Sequence, residues 1–194
     1  MSLWDTLSPD LVEVTYPLLP EVALKVAVQH ATPAPNGPGA DWCAFTGPAQ
    51  LLGRYMLDNP TLFQGSRVVE LGAGGGGASI AAKLAGASSV LAVDINADAR
   101  TMIAANAALN EVTIEVSDTL SLAGAGWLIS AMTLGAVPDA EQVMLSAGVP
   151  VLYATTIHEL VLQLQDPAWT LIQQHAFVSQ AGTEATLGLW EFTP

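Results

Sequence analysis

One segment of the sequence, residues 68–77 (VVELGAGGGG), constrains the fold of this chain more than any other. Its β-branched start is typical of a buried strand, and its glycines come where such a strand ends. Glycine allows a sharp turn and lets a ligand lie directly against the backbone. In an open α/β sheet, such a loop lies at the carboxyl edge of the first strand, where ligands bind. The segment therefore predicts a ligand-binding loop that joins a strand to a helix.

Strand-like and helix-like segments alternate along the chain. Short apolar or alternating runs predict strands, and apolar residues at helical spacing predict helices. The predicted strands are residues 21–30, 67–71, 89–93, 112–116, 127–132, 149–154, 170–178 and 186–192, and the predicted helices are residues 48–57, 78–85, 97–109, 138–146 and 158–165. This order predicts an α/β fold with a Rossmann-like, doubly wound, mostly parallel sheet that closes with an antiparallel pair of strands.

A segment rich in proline and glycine divides the chain. Residues 31–40 contain three prolines and two glycines, a composition typical of a loop. We therefore expect an N-terminal appendage over residues 1–40, made of a strand and this loop, and a Rossmann-like domain over residues 41–194.

The charge composition disfavours nucleic acid as a partner. The chain has 18 acidic and five basic residues, a formal net charge of -13, and no lysine or arginine after Arg100. Proteins bind nucleic acid through lysine and arginine side chains that neutralise phosphates, so we expect this chain to be repelled. Because only 12% of the residues are charged, we also expect that a homo-oligomer covers part of the apolar surface.

The sequence predicts a cytoplasmic protein that does not enter a membrane. Residues 1–20 lack the basic start of a signal sequence. Twenty uncharged residues lie between Asp118 and Asp139, but glycines and Pro138 interrupt them, which favours a buried strand with loops over a membrane span. The single cysteine, Cys43, excludes a disulfide framework, and three scattered histidines show no spacing typical of a metal site.

The glycine spacing leaves the kind of ligand open. Gly72, Gly74 and Gly76 fit the G-x-G-x-G pattern of S-adenosylmethionine sites. Gly72, Gly74 and Gly77 fit the G-x-G-x-x-G pattern of dinucleotide sites equally well, and a turn that binds nothing is a third possibility. Glu70 favours S-adenosylmethionine, because a carboxylate two residues before the first glycine can face the cationic methionine end of that cofactor. The chain is also too short for a separate hydride-acceptor domain.

Two aspartates follow the next two predicted strands. Asp94 comes 22 residues after Gly72, where a carboxylate can accept hydrogen bonds from two ribose hydroxyls. Asp118 lies just past the third strand of the predicted sheet and can reach an adenine amine, although a helix cap or turn is an alternative role. Both residues are predicted cofactor contacts.

With these motifs, the chain resembles the seven-strand class of S-adenosylmethionine-dependent methyltransferases. Within that class it is similar to the branch that contains the electron-transfer flavoprotein β-subunit lysine methyltransferase and its bacterial relatives. The likeness covers roughly residues 17–120 and is carried by residues 17–28 (PLLPEVALKVAV), 41–60 (DWCAFTGPAQLLGRYMLDNP), 68–96, 106–110 (NAALN) and 117–120 (SDTL). The resemblance implies S-adenosylmethionine as the cofactor and a protein lysine or small amine as the methyl acceptor.

The resemblance also implies which residues contact the cofactor. Trp42 and Gln50 fall on matching positions of a lid helix. The other implied contacts come from the glycine loop and the strand ends: Glu70, Gly72, Gly74, Asp94 and Asp118.

The chain departs from the family after the predicted fourth strand of the sheet. Relatives place an acidic residue there, followed three positions later by a tyrosine, whereas this chain has Met132 and Gly135. Neither residue can accept the proton that a lysine ammonium must lose. His158 is a possible substitute base, although a surface histidine is an alternative interpretation. The sequence therefore leaves the catalytic residues unknown, and it leaves two functions open: an active methyltransferase, or an inactive binding protein with a methyltransferase fold.

Overall fold

The computed structural model describes residues 11–19, 22–29, 45–134, 136–156, 168–178 and 184–194. In chain order, the strands are β1 (Leu11–Leu19), β2 (Val22–Gln29), β3 (Arg67–Leu71), β4 (Ser89–Val93), β5 (Glu115–Ser117), β6 (Trp127–Ala131), β7 (Val151–Thr156), β8 (Trp169–Val178) and β9 (Glu184–Phe192). The helices are α1 (Gly47–Asp58), α2 (Pro60–Phe63), α3 (Gly77–Leu84), α4 (Ala97–Leu109) and α5 (Ala140–Leu145).

Seven of the strands form one sheet, in the order β5-β4-β3-β6-β7-β9-β8. Strands β3 to β7 run parallel, and β9 lies antiparallel between β7 and β8. The chain leaves β3 towards β4 on one side and later returns to place β6 on the other side. The strand order therefore reverses at β3, which is where open α/β sheets bind their ligands.

The central strands are mostly apolar because both faces of the sheet are covered. Side chains alternate between the faces: Val68 packs in the core beneath α1 and α3, and Val69 packs in the core that includes α5. The same alternation places Leu128 on the second face and Ile129 on the first. Hydrophobic burial on both faces thus fixes the register that brings the strand ends together.

The predicted α/β fold is confirmed, including the antiparallel pair formed by β8 and β9. The strand predicted at residues 112–116 is in fact Glu115–Ser117. Val112, where the strand was predicted to begin, instead belongs to the end of α4. Glu111 adopts a left-handed φ of 56°, and the Val112 N–H donates to the Ala107 carbonyl at 3.0 Å. The helix predicted at residues 158–165 lies outside the described residues.

Strands β1 and β2 form a separate antiparallel hairpin. Its Lys25 backbone is bound by the side chain of Asn110, which follows α4. The predicted division of the chain at residue 40 falls in a segment outside the described residues and stays a prediction. In the described part of the chain, no helix has both the length and the hydrophobicity needed to cross a membrane.

Candidate cofactor site

The glycine loop begins where β3 ends and is fixed against the end of β4. The N–H groups of Gly72 and Ala73 both donate to the Val93 carbonyl, at 2.9 and 3.0 Å. Gly72 has a φ of 69°, and a Cβ added there would clash with Cγ2 of Thr133. Glycine is therefore required at this position for two independent reasons, backbone conformation and space.

Glycine at the start of α3 has a different cause. A Cβ on Gly77 would collide with the ring of Phe45, which precedes α1. A glycine at position 77, which belongs to the dinucleotide pattern, is therefore explained by packing, because it leaves room for the Phe45 ring.

Asp94 directly follows β4, and its carboxylate is held beside the loop. Its Oδ2 accepts a hydrogen bond from the Gly74 N–H at 2.8 Å, and its Oδ1 accepts one from the Asn96 N–H at 2.9 Å. Arg100 fixes the backbone of the same segment, since its Nη1 donates to the carbonyls of Asp94 and Ile95, both at 2.9 Å. Each carboxylate oxygen keeps a further lone pair that can accept a hydrogen bond from a ligand.

Glu70 lies on β3 and is only 2% exposed. Burial raises the pKa of its carboxyl to about 8, and the nearby charge of Asp94 acts in the same direction, while the Ser79 hydrogen bonds oppose the rise. The Ser79 hydroxyl donates to Glu70 Oε2 at 2.5 Å. The carboxyl is therefore largely protonated at neutral pH, and a cation placed beside it would favour its ionised form.

These groups surround a cavity of about 450 Å³ at the carboxyl ends of β3, β4 and β6. Its lining is formed by Phe45, Thr46, Ala49, Glu70, Leu71, Gly72, Ala73, Gly74, Gly75, Gly77, Ala78, Val93, Asp94, Ile95, Ala131, Met132, Thr133, Ala136 and Val137. The part next to β3 and β4 we name the carboxylate half, formed by Glu70, Gly72, Gly74, Asp94 and Ile95. The part that follows β6 we name the apolar half, formed by Ala131, Met132, Thr133, Ala136 and Val137.

Met132 in the apolar half has an unusual backbone conformation, a left-handed φ of 59°. Its N–H donates to the Ala154 carbonyl at 3.0 Å, and its Sδ accepts a hydrogen bond from Thr155 Oγ1 at 3.4 Å. A bulky residue at positive φ persists only when its surroundings fix it. Strand β7 supplies both contacts and so fixes Met132, which lines the cavity.

Hydroxyl groups hold the rest of the apolar half. The buried Ser130 hydroxyl donates to the Leu71 carbonyl at 2.9 Å and shares a hydrogen bond with Thr133 Oγ1 at 2.7 Å. The Tyr153 hydroxyl accepts a hydrogen bond from the Leu134 N–H at 3.2 Å. These neutral contacts tie the apolar half to β3 and β7.

Four of the predicted cofactor contacts line this one cavity: Glu70, Gly72, Gly74 and Asp94. Three others do not. Gln50 donates its side-chain amide to the Phe45 carbonyl at 2.7 Å, Gly76 precedes α3 as its N-cap, and the exposed Asp118 accepts a hydrogen bond from Thr119. Their roles as cofactor contacts stay predictions.

Further predicted site residues, Trp42, Gly135 and His158, lie outside the described residues. The structure adds residues that the sequence reasoning missed. Ile95 lines the cavity with a side chain that is 76% exposed, and Thr46 lines it while capping α1 by accepting a hydrogen bond from the Ala49 N–H. The signal for Ile95 was an apolar residue directly after Asp94, which follows β4. No sequence pattern pointed to Thr46 as a lining residue.

Comparison with known proteins relates this arrangement to methyltransferases. The family described as ribosomal protein L11 methyltransferase (PrmA) matches residues 52–182. The electron transfer flavoprotein beta subunit lysine methyltransferase of Mus musculus is 45% identical over 69 residues, which are 36% of this chain and 27% of the mouse protein. The chain thus spans less than a third of the length of this curated relative.

Two solved structures have the same fold. The ribosomal protein L11 methylase of Lactobacillus delbrueckii subsp. bulgaricus has a TM-score of 0.51 and 22% identity, covering 73% of this chain and 77% of that one. The Pyrococcus abyssi tRNA (uracil-54, C5)-methyltransferase, in complex with S-adenosyl-L-homocysteine, has a TM-score of 0.62 and 14% identity, covering 95% of this chain and 45% of that one. At these identities, the likeness concerns the fold.

Proposed function

Because the chain belongs to the ribosomal protein L11 methyltransferase (PrmA) family, we propose that it transfers a methyl group from S-adenosylmethionine to an amine. One observation carries this proposal. The carboxyl groups of Glu70 and Asp94 and the glycine loop surround a single cavity of about 450 Å³, a volume typical of small-molecule sites.

The residues of the carboxylate half fit the cofactor group by group. Asp94 presents carboxylate oxygens that can accept hydrogen bonds from ribose hydroxyls, and its position is fixed by the Gly74 N–H. Glu70 is a buried carboxyl that gains a partner when a cationic amino group enters the cavity. The exposed side chain of Ile95 offers an apolar surface for the adenine ring. The relative from Pyrococcus abyssi holds S-adenosyl-L-homocysteine, a ligand with the same ribose and adenine.

When bound, S-adenosylmethionine supplies an electrophilic methyl group on a sulfonium. The apolar half provides the wall against which the acceptor lies. Among the described lining residues, the acidic side chains are Glu70 and Asp94, and both lie in the carboxylate half. Met132 and Val137 offer no base to an ammonium, and burying a charged ammonium beside them is costly. We therefore propose that the acceptor amine gives its proton to solvent water before it enters the apolar half.

The acceptor class is proposed from the relatives. The mouse protein is named as a lysine methyltransferase for a protein subunit, and we propose a protein lysine or a small amine for this chain.

The contacts of the three arginines support a partner other than nucleic acid. Arg54 pairs with Asp58, Arg67 pairs with Glu115, and Arg100 donates to backbone carbonyls. These side chains are engaged within the protein itself.

Two measurements test the proposal. Calorimetric titration with S-adenosylhomocysteine should show binding to a single site. Incubation with S-adenosylmethionine that carries a labelled methyl group, together with cell-extract proteins or small amines, should then label an amine. An absence of binding would contradict the proposal at the level of the cofactor. Binding without labelled product would favour the inactive binding protein.

A further inference from the structure

The glycine loop needs support from outside itself. Residues 72–77 include five glycines, and glycine has more backbone freedom to lose on ordering than any other residue. Gly74 and Gly76 adopt φ values of 53° and 79°, so the carbonyl of Gly75 lies between two left-handed residues. A ligand that lies against such a loop binds more tightly when the loop is already ordered.

Asn106 provides that support from α4. Its side chain is fully buried, and its Nδ2 donates to the Gly75 carbonyl at 2.8 Å. Gly75 itself lines the cavity. A buried hydrogen bond to the middle of the glycine run therefore fixes the peptide groups that face a ligand.

Asn110, one helical turn later, binds the N-terminal hairpin. Its Oδ1 accepts a hydrogen bond from the Lys25 N–H at 2.9 Å, and its Nδ2 donates to the Lys25 carbonyl at 2.6 Å. The same Nδ2 also donates to the Asn106 carbonyl at 2.8 Å. Residues four apart lie on one face of a helix, so this face of α4 contacts the hairpin at one end and the glycine loop at the other.

We infer that Asn106 and Asn110 connect the N-terminal hairpin to the glycine loop, so that docking of the hairpin and binding of the cofactor favour each other. Asn106 is then a positioning residue for the cofactor, acting through Gly75. This inference rests on the proposed function, because it takes an S-adenosyl compound as the ligand of the cavity. Thermodynamic linkage requires that the effect be reciprocal: if the docked hairpin strengthens binding, the bound ligand must strengthen docking.

The test uses the full chain and S-adenosylhomocysteine as the probe. The variants are Asn106→Ala, Asn110→Ala and the double variant, with Thr101→Ala as the control, since Thr101 is an exposed polar residue of the same helix. Calorimetry gives the affinity, and hydrogen exchange gives the protection of the Lys25 amide, whose acceptor is Asn110.

We expect Asn106→Ala to weaken binding about tenfold, the loss typical of one buried hydrogen bond, and Asn110→Ala to weaken it by roughly threefold. The double variant should lose less than the product of the two single losses, because the residues act through one connection. S-adenosylhomocysteine should slow exchange of the Lys25 amide in the wild type and in Thr101→Ala, but not in Asn106→Ala.

If the two asparagines have a merely structural role, their variants should have a lower melting temperature but an unchanged affinity and an unchanged ligand effect on Lys25 exchange. That result would overturn this inference and leave the proposed function intact. If Asn106→Ala does not fold, an unchanged affinity for S-adenosylhomocysteine in Asn110→Ala would overturn the inference instead. No binding by the wild type would overturn the proposed function, and this inference with it.

Discussion

The two halves of the cavity differ both in chemistry and in how the chain builds them. The carboxylate half carries two carboxyl groups, Glu70 and Asp94, on residues within or directly after neighbouring parallel strands. The apolar half has a neutral wall after β6, held by the hydroxyls of Ser130, Tyr153 and Thr155. The first half is thus assembled around one short motif, and the second depends on contacts with β3 and β7.

This difference separates the tasks of the two halves. Under the proposed function, the charged and hydrogen-bonding groups hold the polar cofactor, and the neutral wall selects the methyl acceptor. The family resemblance of the sequence is carried by the glycine motif of the carboxylate half, whereas it implies an acidic residue at the position of Met132 in the apolar half. Cofactor binding and acceptor choice should therefore respond to different substitutions.

The largest expected effect is a pH dependence of stability that comes from Glu70. Its carboxyl has an ordinary pKa of 4.5 and a folded-state pKa raised to about 8, so between these values the native protein keeps a proton that the unfolded chain loses. The free energy of unfolding should then fall as pH rises through this window, by up to about 1.4 kcal/mol per pH unit, and level off above it. Glu70→Gln should remove this decrease and raise stability at pH 7 by as much as ~3 kcal/mol.

Urea denaturation of both proteins across this pH range measures the effect. At pH 4 the variant and the wild type should differ little, because the carboxyl is then mostly protonated in both states. Parallel stability curves for the two proteins between pH 4.5 and 8 would show that Glu70 is ionised in the folded protein.

The next largest effect is expected on stability at Gly72, where the carboxylate half lies against Thr133 of the apolar half. Gly72→Ala should lower the free energy of unfolding by about 2–4 kcal/mol, because it adds a left-handed alanine and a clash with Thr133 Cγ2. Gly65→Ala is the matched control: Gly65 has a φ of 75° but nothing within 4 Å of an added Cβ. It should cost only the conformational part, about 1 kcal/mol.

Combining Gly72→Ala with Thr133→Ser sharpens this test, since serine lacks the methyl group that clashes. In chemical denaturation, the double variant should regain part of the lost free energy of unfolding, so that its remaining loss equals that of Gly65→Ala. Equal losses for Gly72→Ala and Gly65→Ala would mean that the halves are not in close contact at this position.

A smaller effect is expected on the cofactor affinity of the carboxylate half. Asp94→Ala should weaken S-adenosylhomocysteine binding by about 1.5–3 kcal/mol, the usual contribution of hydrogen bonds to a charged group. Asp98→Ala, an exposed aspartate in the first turn of α4, should leave the affinity unchanged. Isothermal titration of both variants separates a local contact from a general effect of charge, and equal losses would point to the latter.

The smallest effect is expected in the apolar half. Thr155→Val keeps the shape of a buried side chain but removes the hydrogen bond to Met132 Sδ. Stability should change by less than about 1 kcal/mol, and S-adenosylhomocysteine affinity should stay within about twofold. The rate of methyl transfer should fall instead, because the acceptor wall is less well fixed. A variant that loses cofactor affinity but keeps its transfer rate would reverse the assignment of the two halves.

Local sequence patterns were enough to predict Glu70, Gly72, Gly74 and Asp94 of the carboxylate half, although they missed Ile95. The segments 67–71 and 89–93 were predicted as strands and are strands, because strands buried on both faces of a sheet have mostly apolar sequences. Glu70 and Asp94 follow from those strand ends, since parallel strands present their carboxyl ends at one edge. Gly76 and Asp118 were predicted from the same patterns and Gln50 from the resemblance. Their known contacts are within the protein, and their roles as cofactor contacts stay predictions.

From β3 to β7, the sequence by itself determined the order of strands and helices, the doubly wound fold and the position of the glycine loop, because hydrophobic periodicity and glycine act over a few residues. Strand β1 and helix α2 were not predicted. Only the tertiary structure decided that Thr133 lies against Gly72, that Thr155 fixes Met132, and that Asn106 reaches Gly75. These contacts join residues 20 or more positions apart, and their formation depends on how the strands and helices pack. No local pattern carries that information.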